Sequence, residues 1–425
     1  MKEDLLHTIW KYKLIGQLEF IGTKGEHIEI KSIGEHNKDS GPDFFASKII
    51  INNIQLVGNV ELHIKTSDWI KHKHQHNKAY DNLILHVVYE HDIELPQNEL
   101  HQVSVLELKS YIKPALLEKH NQLQQTTHSI ACGQSITTVP SIIWNTWIDR
   151  LAIARIEQKT NYIASLFEYC NHDYEHTLYL LLVRYFGFKI NNDAFEMLAK
   201  SLPISIIKKH QNQSLQLEAL LFGCAGLLHE PFKDEYPTRL QNEYEFLKHK
   251  YQLIPLQKEI WKFSKTRPVN FPTIRIAQLA ALFSNQVSLF HLIESKTDLK
   301  KIKEYFITEL NIYWQNHFLF DSEVSSSNKT FGEEATNSII INVIIPFLGF
   351  MAIKQAKPEL MEYALELLTQ LPAEKNNKTR AYTSLGIRNS SALDSQAEIQ
   401  LYDDYCSKKN CLMCHIGQSI LKNSK

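Results

Sequence analysis

The sequence predicts a two-part protein: an α/β domain over residues 1–115, a linker over 116–139, and a larger, mainly α-helical domain over 140–425. Three observations carry this reading. The chain of 425 residues is too long for one ordinary core, and the length favours at least two. Its first quarter holds short apolar runs that alternate with polar residues, the period of strands. From Trp144 onward the apolar residues recur at helical spacing.

The elements follow in order. Glu3 to Leu14 places Leu5, Leu6, Ile9, Trp10 and Leu14 on one helical face. His27 to Ile33 alternates as a strand. Phe44 to Ile51 and Ile54 to Ile64 read as two strands of a hairpin turned at Asn52-Asn53. Asp68 to Tyr80 is long enough for a helix crossing the sheet, and the crossover leads to strands over Asn82 to Tyr89 and Val103 to Leu108. Gln122 to Thr137 is polar and lacks a clear period, as a linker does. Beyond it, helical patterns run from Trp147 through Leu178–Phe188, Leu215–Leu228 and Ile274–Phe283 to Ile339–Ala356 and Glu359–Leu371. No fixed-period repeat marks a solenoid.

Hydrophobic content of 44% and charged content of 22% are those of a folded globular protein. No apolar run reaches the ~18–20 residues of a membrane span. The longest, Ile339 to Ile353, is interrupted by Asn342 and Pro346, and the first residues lack the pattern of a secretory signal. A cytoplasmic protein is therefore expected. Net charge is −1, so any nucleic-acid binding must rest on a local patch or on metal ions. Residues 1–120 hold 14 Lys and no Arg against 17 Asp plus Glu, a balance of −3.

Chemistry concentrates on one strand. In Gly58-Asn-Val-Glu-Leu-His-Ile-Lys65, alternation puts Glu61, His63 and Lys65 on one face, with Val60, Leu62 and Ile64 on the other. Asp43 of Gly41-Pro-Asp43 starts the preceding strand. Strict hairpin register would set Phe44 opposite Glu61, so Asp43 needs a bulge or a bend to share its face. Granted that, two carboxylates converge with a cation, and magnesium or manganese at Asp43 and Glu61 could activate water for phosphodiester hydrolysis. The bland alternative is that Asp43 caps a Gly-Pro turn and Glu61 faces water.

His72, His74 and His76, with Asp68, Asp81 and His86 nearby, form the densest histidine cluster. Imidazoles are common ligands of zinc or iron. In an extended segment the three would share a face; on a helix only His72 and His76 pair. A solvated polar loop is the plainer expectation. Arg267, Arg275, Arg380 and Arg388 are the cations of the helical part that suit phosphate, although a lone Arg more often pairs with a carboxylate. Cys406, Cys411 and Cys414 crowd together in a Cys-x4-Cys-x2-Cys run, and Cys132 is the better fourth ligand than the adjacent His415. Structural zinc, an iron–sulfur cluster and metal-free buried thiols all remain open.

The order helix, three strands, crossover and strand, with Asp43 before the second strand and Glu61 on the third, resembles the PD-(D/E)XK core of restriction-endonuclease-like nucleases over the first quarter of the chain. The resemblance implies a mixed sheet, metal held by Asp43 and Glu61, and nucleic acid, DNA or RNA, as substrate. His63 stands where that superfamily places its lysine, and Lys65 follows one step along the face. His63 or Lys65 would then orient water and phosphate. Some of these nucleases tie a carboxyl-terminal cysteine trio to an earlier cysteine through an iron–sulfur cluster. The whole chain also resembles an uncharacterised bacterial family of unknown function, through Asn37-Lys-Asp-Ser-Gly-Pro-Asp43, Gly58-Asn-Val-Glu61-Leu-His63, Ser67-Asp-Trp69, Ala79 to Val88, Arg267 to Arg275, and Cys406 to Gly417. A metal-dependent nuclease is the expected function. The alternatives are a non-catalytic nucleic-acid-binding or assembly protein and, more distantly, a zinc hydrolase built on the histidines.

Overall fold

The computed structural model describes residues 1–95, 103–327 and 329–423. The chain divides into two compact units. Unit 1 comprises Met1–Ile148, Asn377–Arg388 and Glu398–Lys425; unit 2 comprises Asp149–Asn376 and Asn389–Ala397.

Unit 1 opens with α1, Glu3–Lys11, whose Leu5, Leu6, Ile9 and Trp10 are buried at helical spacing. Glu3 and Asp4 in its first turn and Lys11 in its last complement the helix dipole. The sheet is mixed. Its strands are β1 (Glu19–Ile21), β2 (His27–Ser32), β3 (Glu35–His36), β4 (Phe44–Ile51), β5 (Ile54–Lys65), β6 (Leu83–Glu90) and β7 (Ser104–Glu107). Their order is β1-β2-β4-β5-β6-β7, with the short β3 also on β4. Pairing is antiparallel from β1 to β5 and parallel from β5 to β7. The expected hairpin is present, and Asn52 and Asn53 turn it with φ of 47° and 65°, as a tight primed turn requires. β1 and β3 are too short to show a sequence period, and neither was expected.

Three further expectations are corrected. Asp68 to Tyr80 is not one crossover helix: a four-residue helix, α2 (Asp68–Lys71), is followed by two 3-10 turns, His74–His76 and Lys78–Tyr80. Lys73 breaks the helix by adopting φ 59°. The 116–139 stretch expected as a linker includes most of α3 (Pro114–Gln125), where Pro114 starts the helix and Leu116 and Leu123 are buried. The segments 377–388 and 398–425, expected in the helical domain, cluster with unit 1.

Unit 2 is mostly helical, with one short hairpin of His317–Leu319 and Ser322–Glu323, and one apolar core unites it. Leu178–Val183, Phe195, Leu220–Phe222, Ile274, Phe347 and Leu367 are among its buried members. The helical stretch Glu333–Gln355 is long and apolar enough to cross a membrane, yet 83% of its most apolar window is buried inside the molecule. Asn342 and Pro346 do not interrupt it. A π-helical turn at Ile340–Ile344 precedes Pro346 and absorbs the missing N–H.

Candidate metal centre

β4 and β5 assemble the first part of the site through a bulge. Ser47 pairs with Gly58 but Phe44 with Val60, so one extra residue sits on β4, and Ala46 takes φ 52°. That shift turns Asp43 from the face of Leu62 to that of Glu61, as the sequence required. The two carboxylates then interlock. Asp43 N–H donates to Glu61 Oε2 at 3.0 Å, and Leu62 N–H donates to Asp43 Oδ2 at 2.9 Å. Asn37 shapes the loop before Asp43: its Nδ2 donates to Pro42 O at 3.1 Å, and Asp39 N–H donates to its Oδ1 at 2.9 Å. From α1, His7 Nε2 stands 3.4 Å from Asp43 Oδ2. Nothing in the sequence spacing singled out His7.

The second part comes from the crossover. Because Lys73 is left-handed, the chain turns between His72 and His74 and sends both rings toward β5, a geometry that neither a helix nor an extended run provides. His63 Nε2 lies 3.1 Å from His72 Nδ1. Glu61 Oε1 lies 3.6 Å from His63 Nε2 and 3.4 Å from His74 Nε2. The ligand atoms of His63, His72 and His74 all lie within 4.8 Å of one another. His76 is exposed and is not part of this group. Lys65 is also outside the cluster; it is exposed and reaches Glu90, its partner across the parallel ladder, at 3.9 Å.

A supporting shell fixes these rings. His86 pairs with Glu61 across β5–β6, and its Nε2 is 2.9 Å from His63 Nδ1. Tyr80 and Trp69 flank His74 with ring centroids at 4.2 and 5.2 Å. Electrostatics favour neutral imidazoles. Burial, reinforced by His86 and the other histidines, pulls His63 down to about 2, and burial above all pulls His86 down to about 3. Burial and then the nearby Asp43 charge push Glu61 up to about 9. A neutral His63 carries one N–H. Placed on Nδ1 toward His86, that proton leaves the Nε2 lone pair facing His72, His74 and Glu61. His74 Nε2 is buried without a hydrogen-bond partner. The three imidazoles thus cluster within reach of one ion, with Glu61 Oε1 beside the nitrogens of His63 and His74. A divalent cation held there would return Glu61 to its carboxylate form.

The profile of the family described as protein of unknown function (DUF2851) matches residues 3–377. The chain belongs to this family. The matched stretch takes in Asp43, Glu61, the histidines and Cys132, and ends before Cys406, Cys411 and Cys414. Comparison with curated proteins and with solved structures returns no match.

Arg275, one of the expected phosphate-binding cations, is buried in unit 2. It donates to Gln278 Oε1 at 2.8 Å and Asn270 Oδ1 at 2.5 Å and lies over the rings of Phe188 and Phe331. The structure gives it a packing role. Cys132, Cys406, Cys411 and Cys414 all belong to unit 1.

Proposed function

We propose that this protein is a metal-dependent phosphodiesterase, a nuclease, whose ion is held by Glu61, His63, His72 and His74. The observation that carries the reading is the clustering of the three imidazole nitrogens, with Glu61 Oε1 beside those of His63 and His74. An imidazole-rich set suits manganese, iron or zinc better than magnesium, which prefers an all-oxygen shell. Asp43, rather than sharing the ion, orients Glu61 through the two interstrand hydrogen bonds. The ion would supply charge for the phosphate and an activated water. His72, the exposed member of the set, marks the solvent side of the centre.

Two features support a polyanionic substrate. The mixed sheet, with Asp43 just before β4 and Glu61 on the adjacent β5, supports the resemblance to PD-(D/E)XK nucleases. In addition, a groove is lined by His7, which contacts Asp43, and by Lys2, Lys11, His120, Lys408 and Lys409, with Asp4 as its acidic member. Its basic lining offsets locally the −3 balance of residues 1–120. The position of Lys65 favours a second reading, a nucleic-acid-binding protein that does not cleave, because the lysine usual in such nuclease sites is here paired with Glu90.

Cleavage assays separate the two. Full-length protein loaded in turn with manganese, zinc, iron and magnesium is incubated with single- and double-stranded DNA and RNA. Cleavage with a transition metal, lost in Glu61→Gln, is the expected result. Salt-dependent binding with no cleavage under any metal would establish the non-catalytic reading instead, and cleavage with magnesium alone would move the ion to Asp43 and Glu61.

A further inference from the structure

Unit 1 gathers four cysteines from two distant parts of the sequence. Cys132 precedes the 3-10 turn Gly133–Thr138, and Cys406 ends the π-helical segment Tyr402–Cys406. Cys411 opens the 3-10 turn Cys411–Met413, and Cys414 is the N-cap of the helix His415–Lys422. That helix packs against α3 and against the turn after Cys132. The loop between Cys406 and Cys411 is tied to the end of α3 from both sides: Gln124 Nε2 donates to Lys409 O at 3.1 Å, and Lys409 Nζ donates to Gln124 O at 2.6 Å. All six pairs among the four thiols are close enough to act on each other electrostatically. The remaining cysteines, Cys170 and Cys224, lie in the core of unit 2.

Local geometry aims the sulfurs. The π turn re-directs Cys406, as such turns do at ligand sites. Gly417 lets the Cys411 carbonyl approach, since a Cβ there would sit 2.3 Å from that oxygen. Backbone N–H groups of Ile416 and Gly417 face the Cys414 sulfur, and Tyr382 Oη lies 3.3 Å from Cys406 Sγ. N–H···S contacts stabilise a ligated thiolate.

Spacing argues against a single zinc. Thiolates that share one zinc lie roughly 3.8 Å apart, because each Zn–S bond is ~2.3 Å and the angles are tetrahedral. Among the described residues, the three-ligand group that closes within 4.8 Å is the histidine trio; no cysteine trio does so. Four thiolates around an iron–sulfur cube stand roughly 6 Å apart, since the inorganic core lies between them. We propose that Cys132, Cys406, Cys411 and Cys414 hold a [4Fe–4S] cluster that pins the Lys408–Lys409 wall of the basic groove. Loading is a ligand exchange without change of oxidation state. Each thiol forms one Fe–S bond and passes its proton to the thiolate that leaves the incoming preassembled cluster.

The test uses the full chain purified without oxygen and, after removal of metal, exposed to a preassembled [4Fe–4S] cluster carrying small thiolate ligands. About four iron and about four acid-labile sulfide per chain are expected, with a broad visible charge-transfer band. Cys132→Ser and Cys411→Ser should lose the sulfide and Cys170→Ser should keep it, with circular dichroism reporting the fold of each. One zinc without sulfide in the isolated protein, or no cluster uptake by the wild type, would overturn the proposal whatever the variants do. Labile sulfide also distinguishes this site from iron at the histidine centre, so neither result depends on the other.

Discussion

At the scale of single residues, the centre depends on which histidines face Glu61. His74→Ala removes a ligand that is buried without a hydrogen-bond partner, and should weaken binding of manganese or zinc by roughly 10- to 100-fold or more, as loss of metal-shell residues commonly does. His76→Ala and Lys65→Ala should leave it within about twofold, because both side chains are exposed and outside the cluster. Isothermal titration of the three variants decides this, and equal losses for His74 and His76 would mean that the turn at Lys73 has been misplaced. The sequence made Asp43, Glu61 and His63 legible because strand alternation has a fixed period. It could not choose among His72, His74 and His76. That choice rests on one left-handed residue, Lys73, whose side chain carries no signal for positive φ, unlike glycine or asparagine.

At the scale of elements, the β4 bulge is the device that brings Asp43 to Glu61. Ala46 pays for it with φ 52°. Ala46→Gly relieves roughly 1–2 kcal/mol of left-handed strain and costs about 0.5–1 kcal/mol of chain entropy, so it should stabilise unit 1 slightly. Ala46→Val, β-branched at positive φ, should destabilise it and weaken metal binding as the register slips toward Phe44 opposite Glu61. Denaturant titration read beside metal affinity tests the pair; a stable valine variant with unchanged affinity would show that the bulge is dispensable. Elements with a strong period were readable in advance, α1, β2 and the β4–β5 hairpin among them. The crossover was not, since a helix of four residues and two 3-10 turns have no period long enough to detect.

At the scale of the whole molecule, the assignment of the chain end to unit 1 escaped the sequence because helical patterns continue into it. Only the cysteine spacing hinted that residues 406–414 meet Cys132. Unit 2 stands on its apolar core, and one buried acid within it gives a pH signature. Burial pushes Glu218 up to about 7 from 4.5. The folded state therefore holds a proton that the unfolded state releases between these values. Glu218 contributes full stability below about pH 4.5 and loses it as pH rises through about 7, on the order of 1–3 kcal/mol. Glu218→Gln should flatten that part of the thermal-stability profile, and an unchanged slope would assign it to other groups. The claim on which the functional reading rests is that Glu61, His63, His72 and His74 face one ion. X-ray absorption at the manganese or zinc edge of protein loaded with one ion per chain, carried out on the form with Cys132, Cys406, Cys411 and Cys414 all changed to Ser so that sulfur ligands do not compete, reads this directly. The account expects a nitrogen-rich shell with imidazole scattering from about three rings and one carboxylate oxygen, diminished in His74→Ala. An all-oxygen shell, or one that His74→Ala leaves unchanged, would contradict it.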